Sequence, residues 1–161
     1  MNKDLINAAE KLGGVLQQIG AKVAAAESCT SGLVSTALGA ASDSSSYFTS
    51  GFVTYTDGAK HRLLHVSEKT LQVHTAVSEA TAREMATGAK EVSGESASIA
   101  ITGYAGPDGG EDGTPAGTVW FGWGLPDGKV VSLQRHFAGG PEEVVQQAAL
   151  FSLRHLTELL T

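Results

Sequence analysis

The chain has 161 residues, 42% of them hydrophobic, which is the size of one ordinary domain burying roughly two-thirds of the surface its unfolded chain exposes. Eleven Lys and Arg against seventeen Asp and Glu give a net charge of -6, which disfavours binding to the many phosphates of a nucleic acid but leaves room for one small anionic ligand. No apolar run approaches the roughly 18–20 residues of a bilayer span, and MNKDLINAAEKLGG lacks a signal-peptide core, so a single cytoplasmic domain over residues 1–161, with no membrane partner, is expected.

Leu5, Ile6, Ala9, Leu12, Val15, Leu16 and Ile19 recur at helical spacing, and Gly20 supplies the stop. AKVAAAE then reads as a short buried strand, followed by a helix over about residues 30–40. GFVTY, residues 51–55, reads as a second strand, and Asp57 is placed as N-cap of a helix carrying Ala59, Lys60, Leu63 and Leu64. A further helix is predicted over about residues 78–90 with Ser78 as its cap. SASIAIT is another buried strand, ending in a Gly-rich loop over residues 103–117. TVWFGW and KVVSLQRHF flank LPDG and predict an antiparallel hairpin. The last helix has Pro141 near its start, Glu142 and Glu143 in its first turn and an apolar face ending at Leu160.

Helices alternating with strands, plus one hairpin, predict an α/β layered domain with a mixed sheet flanked by helices. Ligands in such folds bind beyond the carboxyl ends of strands. Three polar clusters fall there: residues 27–32, 55–60 and 102–106.

In the first cluster, ESCTSG, Ser28 and Thr30 suit both a strand-to-helix turn and chemistry. A serine hydroxyl becomes a good nucleophile only when a neighbour takes its proton. No histidine is marked for that task. His61 and His65 share a helix face, but a third metal ligand is not evident and the single Cys29 cannot build a Cys-rich site. Lys60 in YTDGAK is the alternative base, provided burial lowers its pKa well below the usual value of about 10.4. Tyr55 is placed to orient the amine or relay the proton. The Tyr-to-Lys spacing is one residue longer than the Y-x-x-x-K of short-chain dehydrogenases, and a dinucleotide-binding G-x-G-x-x-G near the start is absent. The loop TGYAGPDGGEDGTPAG has no G-K-[ST]; its near part, residues 102–106, is the expected ligand contact, with Asp108, Glu111 and Asp112 assigned to its far part.

AESCTSGLVS, GFVTYTDGAK, HTAVSEATAREMATGA, ITGYAGPDGG and GTPAGTVWFGW, in this order, resemble the C-terminal domain of the CinA family, the nicotinamide-nucleotide amidases. The resemblance covers nearly the whole chain. It implies hydrolysis of the carboxamide of nicotinamide mononucleotide to nicotinic acid mononucleotide and ammonia, a step in pyridine nucleotide recycling. The nucleophile it implies falls on Ser28, the base on Lys60 and a helper on Tyr55, with Glu27, Cys29, Thr30, Gly32, Thr102, Gly103, Ala105 and Gly106 around the substrate. No metal or cofactor is implied, and a homo-oligomer, a dimer for preference, is expected. Three departures stand out: Ser31 where the family usually has glycine, which brings an extra side chain to the site region; Asp57-Gly58-Ala59 before the lysine; and Gly140-Pro141 where active members commonly carry an arginine for the substrate phosphate. A catalytically weak or inactive nucleotide-binding paralogue is the alternative reading.

Overall fold

A computed structural model describes residues 1–161. In chain order the elements are α1 (Lys3–Ile19), β1 (Val23–Glu27), α2 (Leu33–Ala40), β2 (Phe48–Val53), α3 (Asp57–Leu64), α4 (Glu68–His74), α5 (Glu79–Ser93), β3 (Ala97–Gly103), β4 (Thr118–Gly124), β5 (Val130–His136) and α6 (Pro141–Leu160). The strands form one sheet in the order β2-β1-β3-β4-β5. β1 pairs in parallel with both β2 and β3, whereas β4 is antiparallel to β3 and to β5. The sheet is therefore mixed, as the alternation of helices and a hairpin predicts. No helix is long and apolar enough to cross a membrane.

Successive side chains of a strand face opposite sides, and both sides of the central strands are buried. Val23 and Ala25 of β1 join Ile99, Ile101, Val119, Phe121 and Trp123 in a core closed by α1, α2 and α6. Ala24 and Ala26 face the other way, onto a smaller core with Met85, Ala86 and Ala89 of α5 and Leu64 of α3. Small residues on this second side let backbones approach closely. A Cβ on Gly88 would stand 1.9 Å from the Leu64 carbonyl oxygen, and one on Gly122 would stand 2.5 Å from that of Ala82. α5 is thereby seated directly on α3 and the sheet.

Several boundaries differ from the sequence-based expectation. β2 covers Phe48–Val53 rather than residues 51–55, so Tyr55 lies in the connection after the strand. Thr56, not Asp57, caps α3: its side chain accepts from the Ala59 N–H, and Asp57 occupies the first turn. α2 starts at Leu33 instead of Thr30, because the intervening residues form a turn. α4 was not expected, its seven residues being too short for a helical period to stand out.

Candidate active site

Because β1, β2 and β3 run in parallel, their carboxyl ends share one edge of the sheet, where three connections meet. Ser28 follows β1 directly and extends its ladder, its N–H donating to the Ile101 carbonyl at 3.0 Å. The turn that follows is shaped by Glu27, whose carboxylate is fully buried. One oxygen accepts from the Thr30 hydroxyl at 2.7 Å and from the N–H groups of Gly32 and Val34 at 3.2 and 2.9 Å. The other accepts from the N–H and hydroxyl of Ser35 at 2.9 and 2.7 Å. An anion at a helix N-terminus with five donors is well compensated for burial. The path bends through two left-handed residues, Ser31 at φ 48° and Gly32 at φ 99°.

Lys60, 1% exposed, sits in the first turns of α3 with no carboxylate in ion-pair contact. Its Nζ lies 2.9 Å from Ser28 Oγ, 2.8 Å from the Thr54 carbonyl oxygen and 3.4 Å from that of Tyr55. Burial pushes its pKa below the ordinary 10.5, with the nearby charge of Asp57 pulling the other way. A neutral amine has two N–H donors and one lone pair. Two carbonyls accept its N–H groups, and the Ser28 hydroxyl either accepts a third N–H from the charged form or donates to the lone pair of the neutral one. Cys29, next to Ser28, is kept a thiol: burial pushes its pKa up to about 12. The more acidic group by nature is thus disarmed beside a serine that has a base.

Around this pair lies a cavity of about 280 Å³, lined by Ser28, Cys29, Tyr55 and Lys60 together with Ala76, Val77, Thr102, Gly103, Tyr104, Ala105, Gly106 and Asp108. Thr102, in the wall, donates its hydroxyl to the Ala76 carbonyl at 2.7 Å, which leaves Oγ1 able to accept. The N–H groups of Cys29, Ala105 and Gly106 have no acceptor within the chain. Thr75, which ends α4 at φ 69° and ψ 172°, holds a conformation costly for any residue but glycine. Its carbonyl accepts from Ser78 Oγ and Thr81 Oγ1 at 2.9 and 2.7 Å, fixing the Ala76–Val77 wall.

Of the residues singled out in the sequence, Ser28, Lys60, Tyr55, Cys29, Thr102, Gly103, Ala105 and Gly106 all reach the cavity. Glu27, Thr30 and Gly32 do not: they are a carboxylate, a hydroxyl and an amide bound to one another beneath the turn. The N–H groups opening α2 are likewise spent on Glu27 rather than left for an oxyanion. Tyr55 meets the lysine through its carbonyl; its phenol is 67% exposed and makes no hydrogen bond. Ser31 is exposed and adds no side chain to the cavity. Asp108, expected away from the ligand, lines it. Tyr104 lines the cavity with the rest of residues 102–106, as expected, whereas Ala76 and Val77 were missed as walls, since nothing local in sequence brings residues 76–77 to residue 28. His61 is tied by Nδ1 to the Val66 carbonyl and by Nε2 to Glu68, and His65 closes α3 in a left-handed conformation.

Comparison with known proteins gives a consistent relationship. The CinA C-terminal domain model matches residues 6–160. The chain is 51% identical to Protein YdeJ of Escherichia coli over 139 residues, covering 86% of this chain and 80% of that one. It is 46% identical to the nicotinamide-nucleotide amidohydrolase PncC of Enterobacter agglomerans over 144 residues, covering 89% and 88% respectively. The crystal structure of a competence-damaged protein (CinA) superfamily protein from Escherichia coli superposes with a TM-score of 0.95 at 46% identity, covering 99% of this chain and 92% of that one. The chain therefore belongs to the CinA C-terminal domain family.

Proposed function

We propose that this protein is a serine amidohydrolase that hydrolyses the carboxamide of nicotinamide mononucleotide to nicotinic acid mononucleotide and ammonia. The observation that carries the reading is the 2.9 Å separation between Ser28 Oγ and a buried Lys60 amine with no carboxylate partner. The similarity to PncC supplies the substrate.

Lys60, whose pKa is lowered by burial, takes the Ser28 proton in its neutral form as Oγ attacks the carboxamide carbon. The oxyanion that forms is met by unpaired N–H groups at the cavity wall, among Cys29, Ala105 and Gly106. Thr102 Oγ1 accepts from the carboxamide nitrogen. The Lys60 ammonium returns its proton to that nitrogen, the C–N bond breaks and ammonia leaves an acyl-serine. Water then attacks the ester as Lys60 takes its proton, the bond to Ser28 Oγ breaks, and Lys60 passes the proton to Oγ, releasing the acid and restoring Ser28 and the neutral amine. The reaction fits a cytoplasmic homo-oligomer, a dimer on family resemblance, which sedimentation of the purified protein tests.

The experiment is to incubate the protein with the mononucleotide and quantify ammonia and the acid. Ser28→Ala and Lys60→Met should each cut kcat by at least 10³-fold while Cys29→Ser stays within about threefold of the parent, in line with the loss of a nucleophile or its base. Full activity in Ser28→Ala would remove the assignment. A second reading, a nucleotide-binding homologue without amidase activity, is favoured by one observation: no arginine lines the cavity. Binding without ammonia release would select it.

A further inference from the structure

Thr75 carries two costs at once. Its backbone, at φ 69° and ψ 172°, lies in a region kept almost wholly by glycine, and its Oγ1 is buried without a hydrogen-bond partner. Glycine at this position would remove both costs, so the hydroxyl is the feature that needs a use.

Its surroundings supply one. The segment holding Thr75 runs beside the end of β3: the Ala76 carbonyl accepts from Thr102 Oγ1 at 2.7 Å, and Ala76, Thr102 and Tyr104 line the cavity together. The β3–β4 pairing continues past the strand, the Tyr104 N–H donating to the Thr118 carbonyl at 3.0 Å. Thr102 and Tyr104 are thus two residues apart on one face of an extended chain, about 7 Å from each other. The Tyr104 phenol is bounded by Gly110, where a Cβ would stand 2.7 Å from Oη. Burial and then Asp112 raise the pKa of that phenol, while the Thr75 hydroxyl lowers it, which puts the two hydroxyls within each other's influence. No hydrogen bond closes between them.

With the carboxamide nitrogen at Thr102, the pyridinium ring and its glycosidic bond span the step to Tyr104, and the sugar begins there. The phosphate does not suit this place, since Asp112, Asp57 and Glu111 all bring negative charge to the phenol. A neutral sugar hydroxyl does. We propose that Tyr104 binds a ring hydroxyl of the substrate's ribose, and that Thr75 is the positioning residue that holds the phenol for this contact. A small rotation of the phenol on binding lets it donate to Thr75 Oγ1, which satisfies the buried atom, and its oxygen then accepts from the sugar hydroxyl. The strain at residue 75 is retained because it places a hydroxyl beside the tyrosine. The subsite rests on the amidohydrolase reading for the identity of its ligand.

The test measures dissociation constants for nicotinamide mononucleotide and its 2′-deoxy and 3′-deoxy analogues, on a Ser28→Ala background so that turnover does not intervene. The mononucleotide is expected to bind about three- to tenfold more tightly than one of the analogues, the worth of one neutral hydrogen bond. Adding Tyr104→Phe, which keeps the ring, should erase that gap; Thr75→Gly should shrink it and Thr75→Ser should keep it. With Ser28 intact, Thr75→Gly should raise Tm and KM together and leave kcat within about twofold, a combination that a purely structural threonine does not produce. An undiminished gap in Tyr104→Phe, or no gap with either analogue before that change, overturns the subsite. Equal affinity for the mononucleotide with Thr75→Gly and with Thr75 overturns the role of the threonine. A gap that follows the variants with no ammonia released by the Ser28 protein keeps the subsite and removes the amidase. Failure of the mononucleotide to bind at millimolar concentration removes both.

Discussion

Lys60 shows how one side chain links catalysis to stability. Its folded pKa is lowered from 10.5 by burial, so the unfolded chain binds more protons between that lowered value and 10.5. Stability should therefore rise with pH across this window; below it the amine is charged in both states, the cost of burying it is fully present, and Lys60 adds no pH dependence. Lys60→Met removes the dependence. The difference in Tm, parent minus variant, should grow as pH increases toward 10.5, as differential scanning calorimetry would read; a difference that shrinks would mean that the amine is charged in the fold. Ser31 gives a second prediction. At φ 48° it occupies a left-handed conformation that costs a non-glycine residue about 1 kcal/mol, and its side chain is exposed. Ser31→Gly should raise Tm by about 2–4 °C for each kcal/mol recovered, with activity unchanged.

At the scale of elements, what was legible depended on how local the signal was. α1, α5 and α6 announce themselves by apolar spacing and caps, and the β4–β5 hairpin by its LPDG turn, closed by the Leu125 N–H donating to the Lys129 carbonyl at 2.9 Å. α4 and the true limits of β2 were not legible, because seven residues give two turns at most and the alternation in β2 begins at Phe48, within a run of serines and threonines. The candidate site was legible where it ends or directly follows a strand, at Thr102 in β3 and at Ser28 after β1. It was obscure where tertiary folding decides: Glu27 looks like a site residue in sequence but is consumed by α2, and the Ala76–Val77 wall depends on Thr75 at the end of α4, whose carbonyl is held by Ser78 and Thr81. The sequence offered Lys60 as a base and the family resemblance supported it, but only packing shows why its amine loses protons more readily.

For the whole molecule, three layers set the site: α1, α2 and α6 on one side of the sheet, α3, α4 and α5 on the other, with the cavity at the shared ends of the parallel strands. Gly88 matters at this scale. Its Cα presses on the Leu64 carbonyl at the end of α3, and a methyl group there would meet backbone, which cannot rotate away. Gly88→Ala must lift α3 from α5, at a cost of about 1–3 kcal/mol for overpacking. Lys60 lies one turn back along the displaced helix, so kcat should fall while KM changes little; a variant with normal kcat would show that α3 yields elsewhere. The reach of the amine to the serine is in this sense a thickness, fixed by how closely two backbones stack about one helical turn from the reacting atoms. A missing side chain acts as the gauge, and selection for activity would be felt at a glycine that touches neither substrate nor nucleophile.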